Sequence, residues 1–359
     1  MGLTGKILLF PVAVANIIVS AALIASAYSG ILNPEFYPVL SLAGMAFPVL
    51  WLVNMLFLFF WLPLKNRGIW FSITAAVLTI PSALDYCPLH AGKALKSTGN
   101  ADIELLSYNV YGFGFSKGVT GRGITDNPIL SYIDGSEAGL ICLQEANPHV
   151  LKAAMEGNRD FHERFPYSCN TEILTTLSRW PILDWCKISF PDTRNQCLYC
   201  RISVHGRVVA VINCHLQSLS LRQDEINDYY RMLEHPKDSL SYNGGRSVLN
   251  KLIRANVMRS GQILTLAELL EAETAEYIVV CGDFNDTPLS YAHHVMSKKL
   301  TDAYAAGGFG PGVTYNMNRL YFRIDHTFCS STMETLCSRV DRSVSASDHY
   351  PVLTSFRLK

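Results

Sequence analysis

Tyr277-Ile278-Val279-Val280-Cys281-Gly282-Asp283-Phe284-Asn285 holds two messages in nine residues. The first five are aromatic or apolar with no polar alternate, the pattern of a strand buried on both faces. The run then stops at a glycine and turns polar, with a carboxylate and an amide flanking one phenylalanine. The same change recurs outward along the chain. Asn109 follows Leu105-Leu106-Ser107-Tyr108, Glu145 follows Ile141-Cys142-Leu143-Gln144, and His215 follows Val211-Ile212-Asn213-Cys214. Asp325 follows Phe322-Arg323-Ile324, and Asp348-His349 precedes Tyr350-Pro351-Val352. One carboxylate at a strand end ordinarily caps a loop or helix. Acid, amide and imidazole groups at one strand end after another point instead to a shared polar site.

Around these positions the chain reads as short β-runs separated by turns and helices. Strands are predicted over 103–110, 138–144, 173–177, 197–204, 207–216, 277–281, 323–329 and 352–356, with a tight hairpin turn at His205-Gly206. Apolar residues at helical spacing predict a helix over 252–271, and 222–245, ending in Asn243-Gly244-Gly245, reads as a surface insertion. Ten cysteines would permit disulfides outside the cytoplasm. Cys142, Cys214 and Cys281 nevertheless sit in apolar runs and read as small buried hydrophobes. Cys197 and Cys200 form a C-x-x-C, but no second Cys or His pair follows at zinc spacing, and in a strand the two point to opposite faces.

The amino-terminal part is different in kind. Only Lys6, Glu35, Lys65 and Arg67 are charged among residues 1–84, although the whole chain holds 30 Lys and Arg and 30 Asp and Glu. Three uncharged stretches predict membrane helices near 7–27, 38–62 and 68–85, within an anchor of residues 1–90 that contacts the lipid bilayer through residues 1–86. Residues 91–100 read as a linker and 101–359 as the catalytic domain. Trp51, Trp61, Trp70 and Tyr86 suit the interfaces, Pro48 is expected to kink the second span, and Asn16 and Asn54 to face neighbouring helices. A cleaved signal peptide is the competing reading of the first stretch, because Lys6 precedes it and Ala25-Ser26-Ala27 has the small-x-small form; the length of the run and the apolar segments beyond it favour a span. Lys6, Lys65 and Arg67 bracket a first loop with neither Lys nor Arg. The positive-inside rule therefore predicts a multi-pass integral membrane protein with its polar domain on the extracytoplasmic side.

In their order and spacing, Tyr108-Asn109-Val110, Leu143-Gln144-Glu145, Ser178-Arg179-Trp180-Pro181-Ile182, Asn213-Cys214-His215-Leu216, Gly282-Asp283-Phe284-Asn285, Arg323-Ile324-Asp325-His326 and Ser347-Asp348-His349 resemble the endonuclease/exonuclease/phosphatase superfamily. That family includes pancreatic deoxyribonuclease, apurinic endonucleases, deadenylases, neutral sphingomyelinases and inositol polyphosphate 5-phosphatases. The resemblance spans residues 101–359 and implies a four-layer α/β sandwich, two packed mixed sheets flanked by helices, with the site at one edge of both sheets. It also implies Mg2+, with Mn2+ as the alternative ion. Glu145 would be its principal ligand, with Asn109 nearby and Asp348 a second carboxylate. Asp325 and His349 would form an acid–imidazole pair, Asp283 would place or deprotonate water, and Asn285 would bind a phosphate oxygen. His215 would donate to the phosphate, and Asn109 would also lie against substrate. Asp283 and the Asp325–His349 pair are rivals for the general base. His326 reads as structural or pocket-lining, His293 and His294 as a helix face rather than metal ligands, and the run Gly307-Gly308-Phe309-Gly310-Pro311-Gly312, followed by Val313-Thr314-Tyr315, resembles a loop that borders the site in this family.

The residue types suit this chemistry. Phosphoester hydrolysis requires an anion to be neutralised, water to be delivered in line and the leaving oxygen to be stabilised, which a carboxylate-bound hard cation with preorganised donors provides. The substrate is expected to be a phosphate ester, in nucleic acid or in a phospholipid headgroup. A formal net charge of zero argues against a broad basic groove for DNA. The anchor favours a lipid, and the W-x-G-D-x-N and P-x-W-C-D-R forms of the inositol polyphosphate enzymes are absent. A non-catalytic membrane protein that keeps the fold for binding is the alternative of another class. A transport path has no support in the three spans, and no protein partner is legible.

Overall fold

A computed structural model describes residues 3–94, 101–121, 123–219, 239–317 and 321–359. At the amino-terminal end, helices α1 (Leu3–Ala27), α2 (Phe47–Leu64), α3 (Ile69–Leu78) and α4 (Ile80–Tyr86) follow one another, with 3-10 turns at Ser29–Ile31 and Leu40–Ala46. Two helical stretches, Leu9–Ala27 and Leu40–Leu64, are long and apolar enough to cross a membrane, and α3 with α4, bent by 57°, makes a third if taken as one span. Pro48 does not kink the second span as expected. It sits in the first turn of α2, where its missing N–H would have had no helical partner. The break in the third falls at Thr79, whose hydroxyl donates to the Ala75 carbonyl at 2.8 Å. Asn16 and Asn54 do face their neighbours. Asn16 Nδ2 donates to the Gly68 carbonyl at 2.9 Å, Ser72 Oγ donates to Asn16 Oδ1 at 2.9 Å, and Asn54 Nδ2 donates to the Ser72 carbonyl at 3.0 Å. These buried amides cross-link three helices that share few other polar groups.

Beyond the short helix α5 (Ala91–Ala94), the strands form two six-stranded sheets. The first contains β1 (Ile103–Asn109), β2 (Leu140–Gln144), β3 (Tyr167–Asn170), β4 (Leu174–Ser178), β11 (Met333–Val340) and β12 (Val352–Leu358), in the order β11-β12-β1-β2-β4-β3. The second contains β5 (Ile182–Ser189), β6 (Gln196–Val204), β7 (Arg207–His215), β8 (Tyr277–Asp283), β9 (Thr301–Asp302) and β10 (Asp325–Cys329), in the order β5-β6-β7-β8-β10-β9. Helices α6 (Pro128–Gly135), α7 (Pro148–Gly157) and α8 (Arg159–Arg164) cover the first sheet; α9 (Ser239–Ala272) and α10 (Tyr291–Ser297) cover the second, and α11 (Ala303–Gly307) closes one edge.

Strand alternation builds the layers. Ile103 and Leu105 of β1 face Val279 and Cys281 of β8 in the core between the sheets, while Leu106 and Tyr108 turn outward under α6, and Val280 turns outward under α9 and α10. Both faces of the central strands are therefore buried, which explains their unbroken apolar runs. Cys197 and Cys200 point to opposite faces, one in the outer core beside Cys214 and one in the inter-sheet core, and all ten cysteines are free thiols. His205 and Gly206 both have positive φ, 51° and 81°, in the hairpin between β6 and β7.

Two segmental readings change. The helix begins at Ser239, thirteen residues before the predicted start at 252, so Asn243-Gly244-Gly245 lies within α9. Each glycine costs a helix only about 1 kcal/mol, which tertiary packing outweighs. The rest of the predicted insertion, and residues 95–100 of the predicted linker, lie outside the described residues.

Candidate active site

Parallel and antiparallel register brings the polar strand ends to one edge. Asn109 is level with Gln144 across β1 and β2, so Glu145 follows directly. In the other sheet His215 pairs with Asp283, and Asp283 with Asp325, across β7, β8 and β10. Gly282, between Cys281 and Asp283, has φ of 130°, and a Cβ there would lie 2.1 Å from the Cys214 carbonyl oxygen, so only glycine lets β8 reach the edge beside β7. Glu145 and Asn285 also have positive φ, 52° and 53°. Non-glycine residues rarely adopt this conformation, and it turns both chains sharply at the site. Asn285 is held by its backbone N–H, which donates to Asp283 Oδ1 at 2.8 Å.

Asp283 is the centre of the cluster. Asn109 Nδ2 donates to its Oδ2 at 3.0 Å and approaches Glu145 Oε1 at 3.3 Å. His215 Nε2 lies 3.5 Å from Glu145 Oε1 and 3.7 Å from Asp283 Oδ2, and neither ring nitrogen of this buried imidazole has a hydrogen-bond partner. His349 Nδ1 is 2.7 Å from Asp325 Oδ2, which leaves Nε2 aimed at Asp283 Oδ2, 3.7 Å away. Ser347 Oγ donates to the Asn109 carbonyl at 2.7 Å and receives the His349 N–H at 3.1 Å, tying the last motif to the first. Beneath the site Gln144 Nε2 donates to Asn213 Oδ1 at 2.7 Å, and Asn213 Nδ2 donates to the Leu143 carbonyl at 3.1 Å. That pair joins the two sheets and satisfies buried backbone.

The site holds more negative than positive charge. Burial pushes the Asp283 carboxyl up, against the pull of His349, and Asp325 adds to the rise. Burial likewise raises Asp348, with His349 opposing and Glu145 adding. Burial alone would lower the His349 imidazole, but Asp325, Asp283 and Asp348 outweigh it and lift it to about 10. Among the described residues, Asp283, Asp325 and His349 are close enough to bind one ion together. The Asp325 contact occupies His349 Nδ1, and the half-exposed Glu145 lies beside this group, 3.5 Å from His215 Nε2. An excess of carboxylates around an unpartnered imidazole fits a hard divalent cation.

All eight residues singled out from the sequence lie at this edge, although not all meet the same group. Asn285 Nδ2 donates to the Leu216 carbonyl at 3.1 Å, and Asp348 Oδ1 receives the Ser347 hydroxyl at 3.3 Å, so neither touches Asp283 by its side chain. A cleft of about 690 Å³ opens in front of Glu145 and His215, lined also by Tyr111, His149 and Arg194. Arg194 carried no motif signal; it is one arginine in a polar loop before β6, and only the fold brings its cation to the cleft. Within the glycine run Gly308 and Gly310 pair with His90 and Pro88, and Tyr315, which follows it, stands 5.2 Å from the His349 ring and walls the site. His293, on α10 as expected, is buried, with its Nε2 2.8 Å from Asp302 Oδ2. His326 donates from Nε2 to the Asp286 carbonyl at 2.8 Å, burial lowers its imidazole to about 3, and with His293 and Asp302 it makes a second buried group close enough to hold one ion.

A sandwich of this topology with these polar strand ends defines a class. The family model for the endonuclease/exonuclease/phosphatase family matches residues 106–349, and the chain belongs to that family, whose members are hydrolases acting on phosphoesters. A second model, a domain of unknown function, matches residues 6–86. Among solved structures, the chain is similar to SmcL at 15% identity, with a TM-score of 0.50 over 73% of this chain and 100% of SmcL. It is similar to Danio rerio TDP2 complexed with single-strand DNA product at 14% identity, with a TM-score of 0.49 over 71% of this chain and 98% of the other. A Bacteroides vulgatus endonuclease/exonuclease/phosphatase is 15% identical, with a TM-score of 0.46 over 72% of this chain and 99% of the other. At 15% identity the likeness to SmcL is one of fold. No curated protein matches the sequence.

Proposed function

We propose that the protein is a membrane-anchored, divalent-metal-dependent phosphoester hydrolase that works by in-line attack of water. The observation that carries this reading is the single edge at which Asp283 meets Asn109, His215 and His349 within 3.0 to 3.7 Å, with Glu145 beside them. Glu145, Asp348 and Asn109 would hold Mg2+ or Mn2+, which when bound neutralises phosphate charge and polarises its oxygen.

The chain's own groups then divide the work. His349 is anchored through Nδ1 to Asp325 and carries a raised pKa, so at neutral pH its Nε2 presents a proton to a phosphate oxygen. That favours Asp283 over the Asp325–His349 pair as the base. Its Oδ2 is oriented by Asn109 and faces the space between the two imidazoles, where a water would be held and deprotonated. His215, with no internal partner, donates to the phosphate as negative charge builds; such preorganised donors contribute roughly 3 kcal/mol each to transition-state stabilisation. Arg194, which lines the cleft, and Asn285, beside Asp283, would bind the remaining phosphate oxygens.

The test is turnover of bis(p-nitrophenyl) phosphate by the purified full-length chain in detergent, with Mg2+ and with chelator. Asp283→Asn and His349→Ala are each expected to lower kcat on the order of a thousandfold with the fold intact. Turnover that persists in chelator, or survives both substitutions, would show that this edge is not the site of hydrolysis.

A further inference from the structure

The apolar helices dock on the same edge of the sandwich that carries the polar cluster. Leu289, four residues beyond Asn285, packs in one apolar cluster with Leu23, Ala27, Phe47 and Ala75. The contact is backbone to backbone: a Cβ on Gly30 or Gly44 would lie 2.8 or 2.7 Å from the Leu289 carbonyl oxygen. Asn256 Nδ2 of α9 donates to Ser41 Oγ at 2.9 Å, and Arg323, two residues before Asp325, donates to the Asp85 carbonyl. Because Asp283 is paired with Asp325, the segment after β8 and the segment before β10 leave from one end of the sheet. The helix bundle grips both. A flexible tether would leave the catalytic domain free to turn; this contact fixes its site edge toward the bundle.

Exposed apolar side chains flank this junction. Leu89 and Phe309 form an isolated β-bridge just past α4, yet they are 66% and 53% exposed. Tyr321, 63% exposed, adjoins Phe322, which bridges Tyr315 at the wall of His349. On the connector between α1 and α2, Phe36, Val39 and Leu40 are exposed as well. Water disfavours such a rim, whereas a bilayer interface accepts apolar and aromatic side chains of this kind. Its continuity with the membrane helices identifies what covers it.

From this docking we infer that the cleft works at the surface of the bilayer its own helices cross, and that its substrate is a phosphoester in a membrane lipid headgroup. The inference rests on the hydrolase reading above. In the step, the oxygen of one water bonds to phosphorus, one P–O ester bond breaks, and the leaving oxygen takes up a proton as the alcohol. The proton released from the attacking water passes through Asp283, and no oxidant or reductant is needed. Fixing the site at the lipid surface raises the effective concentration of this ester and of no soluble one.

The experiment places full-length protein in equimolar vesicles of phosphatidylcholine, phosphatidylethanolamine, phosphatidylglycerol, phosphatidylinositol and sphingomyelin, with Mg2+, and follows lipid products by mass spectrometry. Bis(p-nitrophenyl) phosphate and a single-stranded oligonucleotide are run beside them. Cleavage of at least one lipid is expected, lost in chelator, and the Leu89→Asp/Phe309→Asp variant should lower the ratio of vesicle to soluble-ester turnover about tenfold. Cleavage of a soluble ester with no lipid cleaved, or an unchanged ratio in the variant, overturns the lipid assignment and leaves the hydrolase reading standing. If no ester of any kind is cleaved, the hydrolase reading fails and this inference falls with it.

Discussion

Two buried histidines in this domain respond to pH with opposite signs, because three carboxylates outweigh burial at His349, whereas burial and the neighbouring His293 outweigh the single carboxylate of Asp302 at His326. His349 is raised from an ordinary value near 6.5 to about 10. The folded state therefore holds its proton more tightly than the unfolded chain, and the stabilisation is fully present below the unfolded value and is lost as pH rises through about 10. His326 is lowered to about 3, so its stabilisation is present above 6.5 and is lost as pH falls toward 3. Denaturant unfolding in chelator, at pH 8 and at pH 10.5, should show wild type losing on the order of 2 kcal/mol over that interval and Asp325→Asn losing much less. Equal losses would mean that Asp325 does not hold the proton on His349. The same carboxylates that raise His349 make the site a place for a cation, so added Mg2+ should compete with this proton-linked stability.

At the scale of elements, the polar edge is made by register, and the docking by small residues. Strands β1 with β2, and β7 with β8, run parallel, so their carboxyl ends come out together; β10, antiparallel, contributes its beginning. Face-to-face packing of the two sheets then brings together groups as distant in sequence as Asn109 and Asp283. The helix bundle meets this edge through Gly30 and Gly44, where no side chain fits against Leu289. Gly44→Val should force the bundle from the 286–290 segment and lower the thermal midpoint in detergent, at a cost of about 2 kcal/mol. Gly92, with nothing within 4 Å of its Cβ position, supplies the control; Gly92→Val melting as low as Gly44→Val would remove the docking contact as the cause.

For the whole molecule, helix direction separates charge from chemistry. The start of α2 packs beside Leu289, whereas its far end leads to Lys65 and Arg67, so these cations lie at the end of the bundle away from the catalytic domain. We therefore expect the catalytic domain outside the cytoplasm. Cys186, the exposed cysteine, reports on this. A membrane-impermeant maleimide should label intact cells, and Cys186→Ser should remove most of that label; labelling only after lysis would reverse the orientation.

The division into an apolar bundle and a polar-edged α/β domain was legible in the sequence because each rests on local patterning. Uncharged runs of membrane length and doubly buried strands such as 277–281 announce themselves residue by residue, as does a run of acids, amides and imidazoles at strand ends. Strand β5 was missed because most of its residues are exposed and carry no apolar alternation, and β11 because buried Thr335 and Ser338 interrupt its apolar pattern. Arg194, the glycine run against Pro88 and His90, and the grip of Gly30 and Gly44 on Leu289 were decided only by tertiary structure. The physical reason is common to them. Each depends on backbone or a lone side chain meeting a segment far away in sequence, and such a meeting leaves no periodicity and no motif in the residues that make it.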